Sequence, residues 1–568
     1  MDAPNTTTHR VSGGQLLVDV LVAEGVSRVF CVPGESYLAV LDALHDAPGV
    51  DVVVARQEGG AAMMAEADAK LTGQPGICMV TRGPGATNAS AGVHIAFQDS
   101  TPLILFIGQI AGDAMGRDGF QEIDYRHMFG PLAKWVVQID DAARIPELVS
   151  RAFHVATSGR PGPVVVALPE DMLTDLVEAP VTPVPRHRKL EAAPAASAME
   201  EMHRRVDVAT APLMIVGGPG WDDDARRRIV AYAQSRGLPI VASFRRQDVV
   251  DNDLPNYVGE LGLGANPALL DLVRRSDLLL VVGARLGEVP TAGYTLLGIP
   301  SPDPYFIHVH ASVDELGRVY CPDLPINAPS RAFAAALEDA PSATPDAGRL
   351  ERLRAARAAY EAWQVLPVTP GDLKMADVMR TLAAQLPDDA IICNGAGNYT
   401  VWIHRFHRYR RPRTQLAPTS GSMGYGLPAG VAAKLREPDR AVVVFAGDGC
   451  FQMTMQEFGT AVQYGAAIVV IVVNNGMYGT IRMHQERHYP GRVVATDLKN
   501  PDFAALARSY GAHGEVVERP DAFGLALGRA LAADGPALIE LRIDPEALTP
   551  NATLAQIRAA AERSKASR

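Results

Sequence analysis

Cysteine is scarce: the 568 residues hold five (Cys31, Cys78, Cys321, Cys393 and Cys450), and no two form a CxxC pair. Neither a disulfide framework nor a zinc site is therefore expected, and a reducing cytoplasm fits best. Long apolar runs are also missing. The most apolar stretch, Ala466 to Val473, is too short to cross a bilayer, and the opening MDAPNTTTHRVSGG lacks the apolar core of a signal peptide. Positive charge is in deficit, 53 Lys and Arg against 64 Asp and Glu, for a net charge of −11. An acidic surface argues against nucleic acid as a main partner. One basic run, Arg405 to Arg413 (RFHRYRRPR), departs from this and reads as a solvated loop or an ion-paired interface. Hairpin signals are absent too.

What is present is alternation. Short apolar, β-branched runs such as VDVVVA, PLILFIG, LMIVGG, LLLVVGA, RAVVVFAG and AIVVIVVN alternate with helical patterns such as GGQLLVDVLVAEG and PDFAALARSYG. Runs apolar throughout are expected of strands buried on both faces, and strand–helix alternation implies parallel sheets sandwiched by helices. The length suits three domains. Composition shifts divide the chain into blocks at 10–180, 195–340 and 370–550: EAPVTPVPRHRKLEAAPAAS reads as a linker, and a second shift lies between Asp339 and Asp372. In the middle block, Gly217-Gly218-Pro219-Gly220 lacks a full GxGxxG, and Pro219 removes a backbone donor, so a plain strand-to-helix turn is expected there.

The chemistry lies in the third block. Gly447-Asp448-Gly449 follows the strand RAVVVFA, and after a gap of 24 residues Asn474-Asn475 closes the next strand. Successive parallel strands end on the same edge, so Asp448 and Asn475 can meet where α/β sheets bind ligands. A carboxylate and an amide oxygen beside glycines suit a hard divalent cation that also holds phosphate oxygens. Gly449 permits close backbone approach, and the following helix start can face a diphosphate.

GDG and NN at this spacing, each at a strand end, resemble the motif of thiamine-diphosphate-dependent enzymes. FAGDGCFQMTMQEFGTAVQYG and NNGMYGTIRMHQE resemble the large catalytic subunit of acetolactate synthases. The resemblance implies a thiamine-diphosphate-binding fold occurring twice, around a Rossmann-like middle domain. It implies magnesium ligands at Asp448, Asn475 and the backbone carbonyl of Met477, with Gly447, Gly449 and Cys450 also around the cofactor. Glu58, in ARQEGGAAMMAEADAKLTG, takes the place of the family's catalytic glutamate, which drives proton transfer through the cofactor's pyrimidine ring. SGSMGYGLPAG matches the segment whose Met423 wedges between the cofactor rings and whose Gly421 carbonyl accepts from its amino group. Gly397 and Asn398 match the diphosphate loop in part.

Around the substrate, GRDGFQEIDYRHMFGPLAKW parallels a family stretch and implies roles for Phe120, Gln121 and Lys134, Gln121 standing among the catalytic residues. Three residues depart from the family. Glu35 stands where glycine is usual: it is either a buried proton donor with a raised pKa or a charge at a helix start. Arg82 replaces serine and either binds a substrate carboxylate or pairs with Glu35 or another acid. His484 replaces the tryptophan of enzymes that prefer 2-oxobutyrate, pointing to another acceptor. ELGLGAN and GARLGEV depart from the family's flavin segments, leaving FAD open. The expected reaction is decarboxylation of a small 2-oxo acid with carboligation to a second carbonyl. A non-ligating decarboxylase is the alternative, and a non-catalytic scaffold is disfavoured by the presence of Glu58, Asp448 and Asn475. A homodimer or homotetramer with active sites between subunits, and no membrane partner, is implied.

Overall fold

A computed structural model describes residues 9–179 and 185–566; residues 180–184 of the first linker and the first eight residues lie outside the described residues. Three six-stranded sheets form, parallel throughout. The first holds Arg28–Cys31, Asp51–Val54, Gly76–Val80, Leu103–Gln109, Trp135–Gln138 and Pro163–Pro169. The middle one holds Pro212–Val216, Ile240–Ser243, Tyr257–Leu261, Leu278–Val282, Tyr305–His310 and Leu324–Asn327. The third holds Ile391–Asn394, Gln415–Leu416, Val442–Gly447, Val469–Asn474, His513–Val517 and Ala537–Arg542. With the strands of each sheet numbered in chain order, the spatial order is 2-1-3-4-6-5 in the first and third sheets and 3-2-1-4-5-6 in the middle one. One doubly wound topology thus occurs twice, around a Rossmann-type sheet.

The apolar runs end up where their composition requires. Gly76–Val80, Leu103–Gln109 and Pro163–Pro169 are buried at every residue. Each fully buried Val, Leu or Ile contributes roughly 1.5–3 kcal/mol relative to exposure. One pairing runs against the parallel pattern: His9–Ser12 lies antiparallel to Leu176–Ala179 in a separate two-stranded sheet.

The chain divides into two compact units, Met1–Leu190 and Glu191–Arg568, and the second carries both the middle and the third sheets. A polar seam joins those two sheets. Gln247 exchanges hydrogen bonds with Gln415 at 2.8 and 3.0 Å. The backbone N–H of Tyr409 donates to Asn252 Oδ1 at 3.0 Å. Within this seam the basic run is ion-paired. Arg408 and Arg410 share Asp253 at 2.9 and 2.5 Å, and Arg405 stacks on Trp363 at 3.6 Å. The helix Ala347–Trp363 is docked as well, since Arg349 donates to the carbonyls of Val206 and Asp207 at 2.6 and 2.9 Å. In the first unit, the described end of the linker is pinned rather than loose: His187 Nδ1 lies 2.7 Å from the buried Glu24 carboxylate.

Among the described residues, no helix is long and apolar enough to cross a membrane, and all five cysteines are free.

Candidate active site

In the third sheet the strand order reverses between Ile391–Asn394 and Val442–Gly447, which opens a crevice at their carboxyl ends. A cavity of about 240 Å³ lies there. All ten residues expected around the cofactor line it: Gly397, Asn398, Gly421, Met423, Gly447, Asp448, Gly449, Cys450, Asn475 and Met477. Gly421 adopts φ +68°, a region that favours glycine, and Met423 packs against the third sheet's core. Val473, Ile543 and Leu548 add apolar wall, while Thr480 Oγ1 donates to Asn398 Oδ1 at 3.0 Å.

Asp448 is 3% exposed, and burial pushes its carboxyl above the usual range against the lowering effect of its hydrogen bonds. Oδ1 accepts from the Gly449 N–H at 2.9 Å, and Oδ2 accepts from Asn500 at 2.8 Å. Among the described residues no Lys or Arg forms an ion pair with it, so the buried charge lacks a counter-cation. Asn475 Oδ1 accepts from the Met477 N–H at 3.2 Å. No cluster of three His, Cys, Asp or Glu suited to a metal occurs among the described residues. A cation at Asp448 would therefore draw on amide, carbonyl, phosphate and water oxygens, a donor set that suits magnesium. The GDG helix is short, Asp448–Gln452, and its Gly449 N–H is already committed to Asp448.

Two residues here, Asn500 and Gln452, escaped the sequence reading. Asn500 ties Asp448 to Asn474, and Tyr399 Oη accepts from the Gly395 N–H at 3.2 Å beside Cys450. Gln452 donates to Asn500 at 3.0 Å. Asn500 sits in an irregular segment with no motif, so only the fold reveals it.

In the first unit, the carboxyl edge of the sheet gathers most of the other expected residues. Glu58 opens the helix Glu58–Thr72 after its strand, and Glu58 Oε2 accepts from Asn88 at 2.9 Å. Arg82 is 7% exposed and is held three ways: by Glu170 at 2.8 Å, by Glu35 at 3.2 Å and by the Phe120 carbonyl at 3.3 Å. Pairing with acids, one of the two roles open to Arg82, is present here. Gln121 adopts φ +67°, uncommon for a residue with a side chain, and crowds Gly83, where a Cβ would lie 2.7 Å from its own. Phe120 stands 75% exposed.

Glu35 begins a 3₁₀ turn with its side chain 67% exposed, the helix-start placement among its two expected ones. Lys134 precedes its strand and pairs with Pro163 at the start of the neighbouring one, on the edge opposite Glu58. Its ammonium caps the carbonyls of Val155 and Ser158 at 2.5 and 2.6 Å, and burial, with Arg160 nearby, lowers it to about 8. His484 is exposed on the helix Gly479–His488, stacked with His488.

The middle sheet's crevice is filled by the chain itself. A Cβ on Gly218 would lie 2.0 Å from the Gly283 carbonyl oxygen, so the two strand-end turns touch. The Trp221 indole donates to Gly217 O at 2.9 Å, and Arg246 spans to Gly218 O at 2.6 Å. Arg285 pairs with Glu315 at 3.3 Å.

Comparison with known proteins agrees with this layout. Residues 11–128, 199–337 and 395–541 match the models of the N-terminal TPP binding, central and C-terminal TPP binding domains of thiamine pyrophosphate enzymes. The chain is 32% identical to the acetolactate synthase large subunit of Corynebacterium glutamicum, over 89% of this chain and 82% of that one. It is 30% identical to the isozyme 2 large subunit of Escherichia coli, over 94% and 96%, and 30% identical to the Lactococcus lactis large subunit, over 94% and 92%. With a duplicated binding fold, a matching central domain and relatives similar over nearly their whole length, the chain belongs to the thiamine pyrophosphate enzyme family.

Proposed function

We propose that this enzyme decarboxylates a small 2-oxo acid and joins the remaining fragment to a second carbonyl, the reaction type of the acetolactate synthases it resembles. The observation that carries the reading is the buried Asp448 carboxylate, with no Lys or Arg paired to it among the described residues, in a cavity lined by all ten residues of the third block expected around thiamine diphosphate. Asp448, Asn475 and the Met477 carbonyl would hold magnesium, and the cavity's polar end the diphosphate. When bound, the cofactor supplies the electron sink for loss of carbon dioxide. Glu58 would hold a proton for a pyrimidine nitrogen while Asn88 occupies its other oxygen, and Met423 with the Gly421 carbonyl would orient the rings. Gln121 and Phe120 contact the substrate. The active enzyme is a homodimer or homotetramer in the cytoplasm, with active sites between subunits.

FAD forms no part of this reading. The Gly217–Gly218 turn is closed by Gly283, Trp221 and Arg246, and no Asp-Asp pair follows Arg285, so these residues do not fit a dinucleotide.

A decarboxylase that does not ligate is the second reading, favoured by Glu35, an acid standing where acetolactate synthases usually have glycine. Incubation with magnesium, thiamine diphosphate and a panel of 2-oxo acids separates the two. Hydroxy-ketone or 2-hydroxy-2-methyl-3-oxo acid products support ligation, and aldehydes support the second reading. Absence of carbon dioxide release from every acid overturns both.

A further inference from the structure

We propose that Asn500 is a positioning residue for the magnesium–diphosphate site, the clamp that fixes how Asp448 is aimed. The inference rests on the cofactor reading above and adds a residue to it.

The two protons of Asn500 Nδ2 are both committed, one to Asp448 Oδ2 at 2.8 Å and one to Asn474 Oδ1 at 2.9 Å. Its own Oδ1 accepts from Gln452 Nε2 at 3.0 Å. The orientation of the amide follows from these partners, because an ionised carboxylate can only accept. With Gly449 N–H on Oδ1 and Asn500 on Oδ2, the Asp448 carboxylate cannot rotate, and each oxygen retains lone-pair capacity for a cation.

Asn500 also joins the ends of two neighbouring strands. Asp448 follows Val442–Gly447, while Asn474 closes Val469–Asn474 and directly precedes Asn475. One amide thus sets the spacing between the two side-chain ligands proposed for the metal. Asn500 is itself fixed from behind. Two residues on, Asp502 caps the helix Phe503–Ser509 through the Ala505 N–H at 2.7 Å. Phe503 N–H donates to Glu540 Oε2 at 3.2 Å, and the other oxygen of the 1% exposed Glu540 accepts from Asn474 at 2.8 Å. The chain Glu540–Asn474–Asn500–Asp448 is therefore a continuous support behind the site, of the kind that tunes metal affinity from beyond the ligands.

The experiment uses the full-length protein with Mn²⁺ as probe, followed by electron paramagnetic resonance with thiamine diphosphate present. In Asn500→Ala, Mn²⁺ affinity falls about 10- to 100-fold. The spectrum at saturating Mn²⁺ also changes shape, because a released carboxylate presents its oxygens differently. A general loosening of the fold would lower the bound fraction without altering that shape. Should Asn500→Ala fold poorly, Gln452→Leu decides, since it keeps Asn500 and removes the bond that turns its amide, together with a 3.3 Å bond to the Asp448 carbonyl; weaker Mn²⁺ binding with an altered spectrum supports the clamp. Wild-type affinity and spectrum in the variant that folds overturn it. Failure of the wild-type protein to bind Mn²⁺ with thiamine diphosphate overturns the cofactor reading instead, and the clamp with it.

Discussion

Asn88 donates its side-chain amide to Glu58 Oε2 at 2.9 Å, from the second turn of the helix Pro84–Asp99. Gly85, on the same helix, leaves the other oxygen open: a Cβ there would sit 3.4 Å from Oε1. Among the described residues only Oε2 is hydrogen-bonded, which suits a carboxyl that passes a single proton to a ring nitrogen through its other oxygen. Glu58→Gln therefore lowers kcat by about 10²- to 10⁴-fold, while circular dichroism and Mn²⁺–thiamine diphosphate binding stay near wild type. Wild-type turnover in that variant would remove Glu58 from the mechanism.

Asp448 yields a prediction that differs between the two states. Burial raises its carboxyl pKa, so the ionised form costs stability when no cation is bound. Asp448→Asn removes that cost but turns one of the two accepting oxygens into a donor, so the metal-free variant melts near the wild-type temperature rather than far below it. The rise in melting temperature that magnesium and thiamine diphosphate give the wild type is lost in the variant. Differential scanning calorimetry with and without the cofactors reads both effects.

The sequence disclosed the centre of each sheet far better than its margins. Apart from the antiparallel pair His9–Ser12 and Leu176–Ala179, five strands of the six-stranded sheets went unanticipated: Trp135–Gln138, Tyr257–Leu261, Leu324–Asn327, Gln415–Leu416 and His513–Val517, and every one lies at the edge of its sheet. A central strand is covered on both faces and must be apolar throughout. An edge strand such as HGEVV is only half-buried and can mix Gly and Glu with Val, which erases the pattern. The site divided in the same way. Asp448 and Asn475 stand at ends of central strands and were visible from spacing. Lys134 was misplaced because sequence proximity to Phe120 and Gln121 does not disclose that the chain crosses to the opposite sheet edge before its next strand. Asn500 was invisible because its role depends on a loop returning to the strand ends.

The filled crevice of the middle sheet predicts a colourless protein. Purified material shows no flavin absorbance, and added FAD leaves the melting temperature unchanged, because a ligand that does not bind the folded state cannot stabilise it. Yellow protein carrying stoichiometric FAD would require Trp221 and Arg246 to leave the Gly217 and Gly218 carbonyls.

Glu486 ties the cavity wall to the end of the chain, and that tie is sensitive to pH. It is buried on the helix Gly479–His488, whose first residues line the cavity, and it accepts from Arg558 at 2.6 and 2.8 Å, from Arg482 at 3.2 Å and from the Gly491 N–H at 2.9 Å. The Arg558 hydrogen bonds, the largest of these influences, hold its carboxyl down at about 2 against an ordinary 4.5. A depressed carboxyl stabilises the folded state fully above the unfolded value, so docking of the helix Leu554–Ala566 is intact above pH 4.5 and is lost as pH falls toward 2. Glu486→Gln removes that charge at every pH and weakens docking by about 1.5–3 kcal/mol. Protection factors across Leu554–Ala566, exchange rates divided into the intrinsic rate at each pH, then fall at neutral pH and change little in the acid range, whereas the wild type loses protection only on acidification. Equal protection of that helix in both proteins at neutral pH would mean that its apolar contacts, led by the buried Leu554, hold it without the ion pair.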